Sequence, residues 1–125
     1  MVWSLKSILK QVKISKGVLI MKDLKIKKSD RYYPNTPGIY GTYVSRGTEY
    51  SFNGKIFYEP SCWGINCGRV SELNVTNKKT DKIVFMYDRG LIRGTEKQIE
   101  SGMIHDLVEF LEVYAVETWE AMFVR

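Results

Sequence analysis

The chain has 125 residues, 44% hydrophobic and 26% charged, a balance that fits one globular domain burying roughly two thirds of its unfolded surface and excludes wholesale disorder. No apolar run approaches the roughly 18 to 20 residues of a membrane span. Two cysteines, with no signal-peptide pattern ahead of them, argue against a secreted disulfide scaffold and lead us to expect a soluble, cytoplasmic protein.

The formal net charge of +5 is unevenly spread. Residues 1 to 31 hold nine Lys/Arg against two acids, a net of +7, whereas residues 95 to 125 hold two against seven, a net of −5. This divides the chain into a basic N-terminal arm, 1–31, and a single α+β domain, 32–125. The arm can pair with the acidic tail inside one fold, or serve anionic partners.

Within the arm, VWSLKSILKQVKI places Val2, Leu5, Leu9 and Val12 on one helical stripe and Lys6, Lys10 and Lys13 on another face, a short basic amphipathic helix. Lys16, Gly17 and Val18 can be encoded by a purine-rich ribosome-binding sequence at a suitable distance before Met21. Residues 1–20 are therefore either part of the protein or a leader ahead of its start. Tyr32 to Gly38 reads as a loop by its Pro and Gly content.

Strands follow. Ile39 to Ser45 is rich in Tyr, Thr and Val, and Arg46-Gly47 suits a hairpin turn. From Thr48 to Tyr58 the alternation holds Tyr50, Phe52, Gly54, Ile56 and Tyr58 on one face. Asn53-Gly54 would suit a turn, but the phase continues through it, which predicts one long strand with a bulge at the glycine. Arg69 to Thr76 and Lys82 to Asp88 form a second hairpin, with Leu73, Val75, Ile83, Phe85 and Tyr87 facing inward.

The last segment is helical. Thr95-Glu-Lys-Gln98 fits a capping box, and Ile99, Met103, Leu107, Phe110, Leu111 and Tyr114 follow at helical spacing, opposite Glu100, Asp106, Glu109, Glu112 and Glu120. Gly102 weakens the first turns. The expected architecture is α+β: a mainly antiparallel sheet of about four strands, a C-terminal helix packed on one face and the short basic N-terminal helix.

Both cysteines lie in SCWGINCGRVSEL, residues 61–73. Structural zinc needs four ligands, and the chain offers Cys62, Cys67 and the single His105, so no metal is expected. A disulfide requires the two Cα atoms within about 7 Å, and a reducing cytosol opposes it. Two free thiols beside a sharp corner are expected, with a redox role left open. Gly64, Asn66 and Gly68 accept positive φ and let the chain reverse.

The run Glu59-Pro-Ser-x-Trp-Gly-Ile-Asn-x-Gly-Arg-Val-Ser-x-Leu73, followed by Tyr87-Asp-Arg-Gly90, resembles a family of small uncharacterised proteins found in phages and conjugative elements of low-GC Gram-positive bacteria. The similarity covers roughly residues 40 to 112. The chain departs from the family pattern at Cys62 and Cys67, where other members mostly lack cysteine, and at Leu91, where they usually have Trp. The resemblance implies a mobile genetic element in a bacterial cytoplasm, with no assigned activity.

Nucleophilic catalysis needs a positioned base, and His105 is the one histidine; the acids cluster as a helix face, and no phosphate-cradling motif occurs. No enzyme and no cofactor are expected. Two binding readings remain. One is a small non-enzymatic binding or inhibitor protein with an anti-defence role, which occupies a host (defence) protein or sequesters a nucleotide-like ligand. The other is a nucleic-acid-binding accessory protein using the basic half and sheet aromatics. The residues expected at the binding site are Arg69, Arg89, Tyr43 and Trp63, and the exposed edge of so small a sheet admits a homodimer.

Overall fold

In a computed structural model, the structure describes residues 21–29 and 38–123, with side chains for 23–26 and 38–115. The proposed helix at 2–14, the rest of the possible leader 1–20 and most of the Tyr32 loop lie outside them. Six strands form one sheet in sequence order: β1 Met21–Ser29, β2 Gly38–Ser45, β3 Thr48–Ile56, β4 Val70–Asn77, β5 Lys82–Asp88 and β6 Leu91–Arg93. Every neighbouring pair is antiparallel. Two helices follow, α1 Glu96–Glu100 and α2 Met103–Phe123.

The mainly antiparallel sheet with a C-terminal helix is as expected, and the strand count is not. Both extra strands escape a hydrophobic pattern. β1, MKDLKIKKS, supplies one buried apolar side chain, Leu24, and the half-buried Ile26, so its lysines hide it; it also lies within residues that charge alone assigns to the arm. Its register slips between Lys22 and Lys25, where Asp23 has φ 51°. β6 has three residues, too few to show alternation.

The predicted long strand is present. β3 runs in register through Gly54, which faces Ile39 on one side and Leu73 on the other. The irregularity lies one step later: Lys55 pairs with Glu72 and Ile56 with Val70, leaving Ser71 as the extra residue in β4. Arg46 and Gly47 both take positive φ, as a tight hairpin of primed type requires.

The core fills the space between one sheet face and α2. Ile39, Tyr43, Phe52, Ile56, Val70, Leu73, Val75 and Phe85 come from the sheet, and Ile104, Leu107, Phe110, Leu111 and Ala115 from the helix. Tyr43 stacks on Tyr50 with ring centroids 5.4 Å apart and meets Phe52 at 5.8 Å. Fully burying an aliphatic or Phe side chain stabilises by about 1.5–3 kcal/mol, so this layer is the main source of stability.

The helix starts as the capping box predicts, with Thr95 Oγ1 accepting from the Gln98 amide at 3.4 Å and Gln98 Oε1 accepting from the Thr95 amide at 2.7 Å. It then breaks. Ser101 leaves helical geometry and Gly102 has φ 95°, a conformation that side chains disfavour, so a new helix begins at Met103. The break lets Ile99 and Ile104 both reach the core.

Candidate functional site

The connection from β3 to β4, residues 57–69, and the β5–β6 turn lie at the same end of the sheet. The connection is a ladder of tight turns. Phe57 N–H donates to Arg69 O at 2.9 Å and Ser61 N–H to Gly68 O at 3.1 Å; inside them, Gly64 N–H donates to Ser61 O at 3.0 Å and Cys67 N–H to Gly64 O at 2.9 Å. Ile65 is the plug, 2% exposed, and Asn66 and Cys67 follow with φ of 54° and 56°. The sequence reading of a sharp corner therefore holds, although the residues in left-handed geometry are Asn66 and Cys67 and not the two glycines.

At the other loop, Asp88 N–H donates to Gly90 O at 2.9 Å, and Arg89 at φ 58° turns its N–H to Ser71 O, also at 2.9 Å. Ser71 is the extra residue of β4, so the irregularity supplies the carbonyl that holds the turn. A second link joins the same two segments: the Tyr87 hydroxyl donates to Trp63 O at 3.1 Å. The two motifs are tied to each other directly. Burial, and secondarily the nearby Cys67, raise the Tyr87 phenol above its usual range.

Of the four residues expected at a binding site, three belong to this end. Trp63 is 59% exposed, although its N–H donates to Ser61 Oγ at 3.2 Å and its carbonyl is held by Tyr87. Arg89 reaches outward, with Nε 3.5 Å from Asp88 Oδ1. Arg69 is occupied internally: Nε donates to Tyr58 O at 2.8 Å and a terminal nitrogen to Glu112 Oε1 at 3.3 Å. Its guanidinium joins sheet to helix.

Tyr43 lies elsewhere. It is fully buried, and its hydroxyl has no hydrogen-bond partner among the described residues. Its alternation with Val44 already assigns it to one sheet face, and a meander with one helix leaves that face no solvent. A surface ligand cannot reach its ring.

Sequence reasoning missed Glu112. Read as part of the acidic face, it turns inward: Oε2 accepts from the main-chain N–H of Arg69 at 2.6 Å and of Val70 at 3.3 Å. The signal is local, because Val108 and Ala115, one turn away on either side, are both buried. Gly68 completes the seat, since an added Cβ would collide with Glu112 Oε2. Tyr58, 43% exposed beside this seat, was likewise left out of the expected site.

His105 is engaged within its own helical region, Nδ1 at 3.0 Å from Ile99 O and Nε2 at 3.5 Å from Glu109. Among the described residues, no group of three or more His, Cys, Asp or Glu side chains is placed to hold a metal ion. No helix among them is long and apolar enough to cross a membrane.

Fold and site thus define an α+β protein with a six-stranded antiparallel meander, one covering helix and two motif loops bound together at one end. The chain belongs to the family described as a domain of unknown function, DUF7678, whose sequence profile matches residues 39–112. The matched span runs from β2 to Glu112 and contains both partners of the Arg69–Glu112 contact. No curated protein and no solved structure matches the chain.

Proposed function

We propose that this is a non-enzymatic binding protein of a phage or mobile element that acts by occupying a host protein, with Trp63, Tyr58 and Arg89 as its anchors. One observation carries the reading: Trp63 is largely exposed while its main chain is fixed on both sides, by Ser61 Oγ and by the Tyr87 hydroxyl. A large aromatic side chain presented on a rigid main chain loses little freedom on association. Trp, Tyr and Arg are also the residues that dominate protein interfaces. The bacterial and mobile-element setting rests on the motif resemblance.

The test compares the full chain with Trp63→Ala and Arg89→Ala variants in quantitative affinity capture from a host lysate. The expected result is one host protein bound stoichiometrically by the native chain, retained at raised salt and lost at least tenfold with Trp63→Ala. Equal capture by all three proteins would sink the proposal.

A nucleic-acid reading is favoured by a different feature. Tyr40, 45% exposed, stands in register with Asn53, and the row continues through Asn74, Met86 and Arg93 on the sheet face opposite the core. Asn74 Nδ2 donates to Asn53 Oδ1 at 3.0 Å and to Glu72 Oε2 at 3.2 Å, leaving a polar platform beside the lysine-rich β1. Binding of single-stranded oligonucleotides here would fall steeply with salt, because phosphate contacts release counterions. It would also depend on Tyr40 and not on Trp63. A nucleotide-like ligand would instead appear as a copurifying mass in native mass spectrometry.

A further inference from the structure

We infer that Cys62 and Cys67 are a reversible redox pair, forming an intraloop disulfide on reaction with a hydroperoxide and thereby closing the loop that carries Trp63. The pairing follows from the turn ladder. Ser61 and Gly68 are bonded across the neck of the loop, N–H to carbonyl at 3.1 Å, and Cys62 and Cys67 are the next residue inward on each arm. A disulfide spans Cα separations of about 4.4–6.8 Å, and a neck closed one residue outside the two cysteines holds their arms near one another.

The arms also pack main chain against main chain. An added Cβ at Gly64 would overlap the Gly68 carbonyl, so no side chain separates the arm leaving Cys62 from the arm entering Gly68. Both thiols are free and exposed, within reach of a soluble oxidant. Cys67 sits at φ 56°, directly after Asn66 at 54°. Left-handed backbone at two successive residues with side chains costs about 1–2 kcal/mol each, a strained conformation that the turn bonds hold at the second cysteine.

The chemistry balances. The thiolate of one cysteine attacks the hydroperoxide, the O–O bond breaks, the sulfur is oxidised to a sulfenic acid and the alkoxide or hydroxide leaves and takes up a proton. The second thiol then displaces the hydroxyl as water, and the S–S bond forms. A dithiol reverses it by thiol–disulfide exchange. Disulfides of reducing compartments are typically of this transient, sensing kind, so the pair is compatible with free thiols at rest.

The test needs no partner protein, so its outcome is independent of the binding proposal. The full chain is treated with hydrogen peroxide, quenched, alkylated with iodoacetamide and measured by intact and peptide mass spectrometry beside Cys62→Ser and Cys67→Ser. The expected result is a monomer lighter by two hydrogens, resistant to alkylation, with residues 62 and 67 cross-linked and both thiols recovered with dithiothreitol. Each single variant should instead accumulate a sulfenic acid that dimedone traps. Three results would overturn the inference: two thiols still alkylated, oxygen added stepwise without loss of hydrogen, or a disulfide-linked dimer of native chains.

Discussion

The carboxylate of Glu112 caps the start of β4, accepting from the main-chain N–H of Arg69 at 2.6 Å while its other oxygen lies 3.3 Å from the Arg69 guanidinium. The contact is asymmetric. Removing the acid orphans the amides of Arg69 and Val70 and leaves the arginine only its bond to Tyr58 O, whereas removing the arginine side chain leaves both amides bonded. Glu112→Ala should therefore cost about 2–3 kcal/mol and Arg69→Ala about 1 kcal/mol, since bonds to charged groups contribute more and unmet buried donors add a penalty. Chemical denaturation of both single variants and the double variant measures this; equal costs would show that the guanidinium, not the amides, is the important partner.

Gly68 gives an independent handle on the same seat. A methyl group there meets Glu112 Oε2, so Gly68→Ala should displace the carboxylate and cost about 2 kcal/mol through the lost bonds. In a Glu112→Ala background the same change should cost less than about 1 kcal/mol, because contacting residues do not add. Additive costs would mean that the glycine serves its own backbone and not its neighbour.

Tyr43 places a hydroxyl in the core without a partner among the described residues. Tyr43→Phe should raise stability by about 1 kcal/mol, the saving on an unmet buried hydroxyl. Desolvation, with a smaller contribution from Tyr50, raises its phenol far above the usual range. An acid whose folded form holds its proton longer loses stability as pH rises past the unfolded value, about 10 for tyrosine. Above that pH the native chain should lose stability more steeply than Tyr43→Phe, by about 1.4 kcal/mol per pH unit. Parallel alkaline profiles would place the hydroxyl in contact with water.

Gln98 does more than its capping-box position requires. Besides accepting from Thr95, its Nε2 donates to Val84 O at 3.3 Å, fastening α1 to β5. Thr95→Ala should cost about 1 kcal/mol, as N-cap substitutions do, and Gln98→Ala about 2 kcal/mol through two lost bonds. Thermal unfolding ranks the two; the reverse order would show that the tie to the sheet contributes nothing.

The sequence revealed most where one physical rule acted alone. The strand through Asn53-Gly54 kept its alternation because both faces had consistent demands, and the Thr95 cap and the Arg46-Gly47 turn are local chemistry. β1 was hidden because an edge strand with lysines lacks the apolar alternation by which strands are found. Glu112 was hidden because its partners lie 43 and 42 residues earlier, and periodicity says nothing about what a helix face meets. Arg69 and Arg89 looked equivalent in their motifs, and only the fold separates an arginine held by a helix carboxylate from one reaching outward.

The strand order β1 to β6 has a kinetic consequence. Each strand pairs with its neighbour in sequence, so the sheet can grow hairpin by hairpin with short loop closures, and such topologies cross their folding barrier quickly. Helix docking is the long-range part, and within it the Arg69–Glu112 contact closes more than forty residues of chain. Its partner helix must already be docked before the carboxylate can find the two amides, and we predict that the contact forms after the rate-limiting step. Its energy then acts on unfolding: loss of Glu112 should shorten the lifetime of the native state while leaving the refolding rate almost untouched.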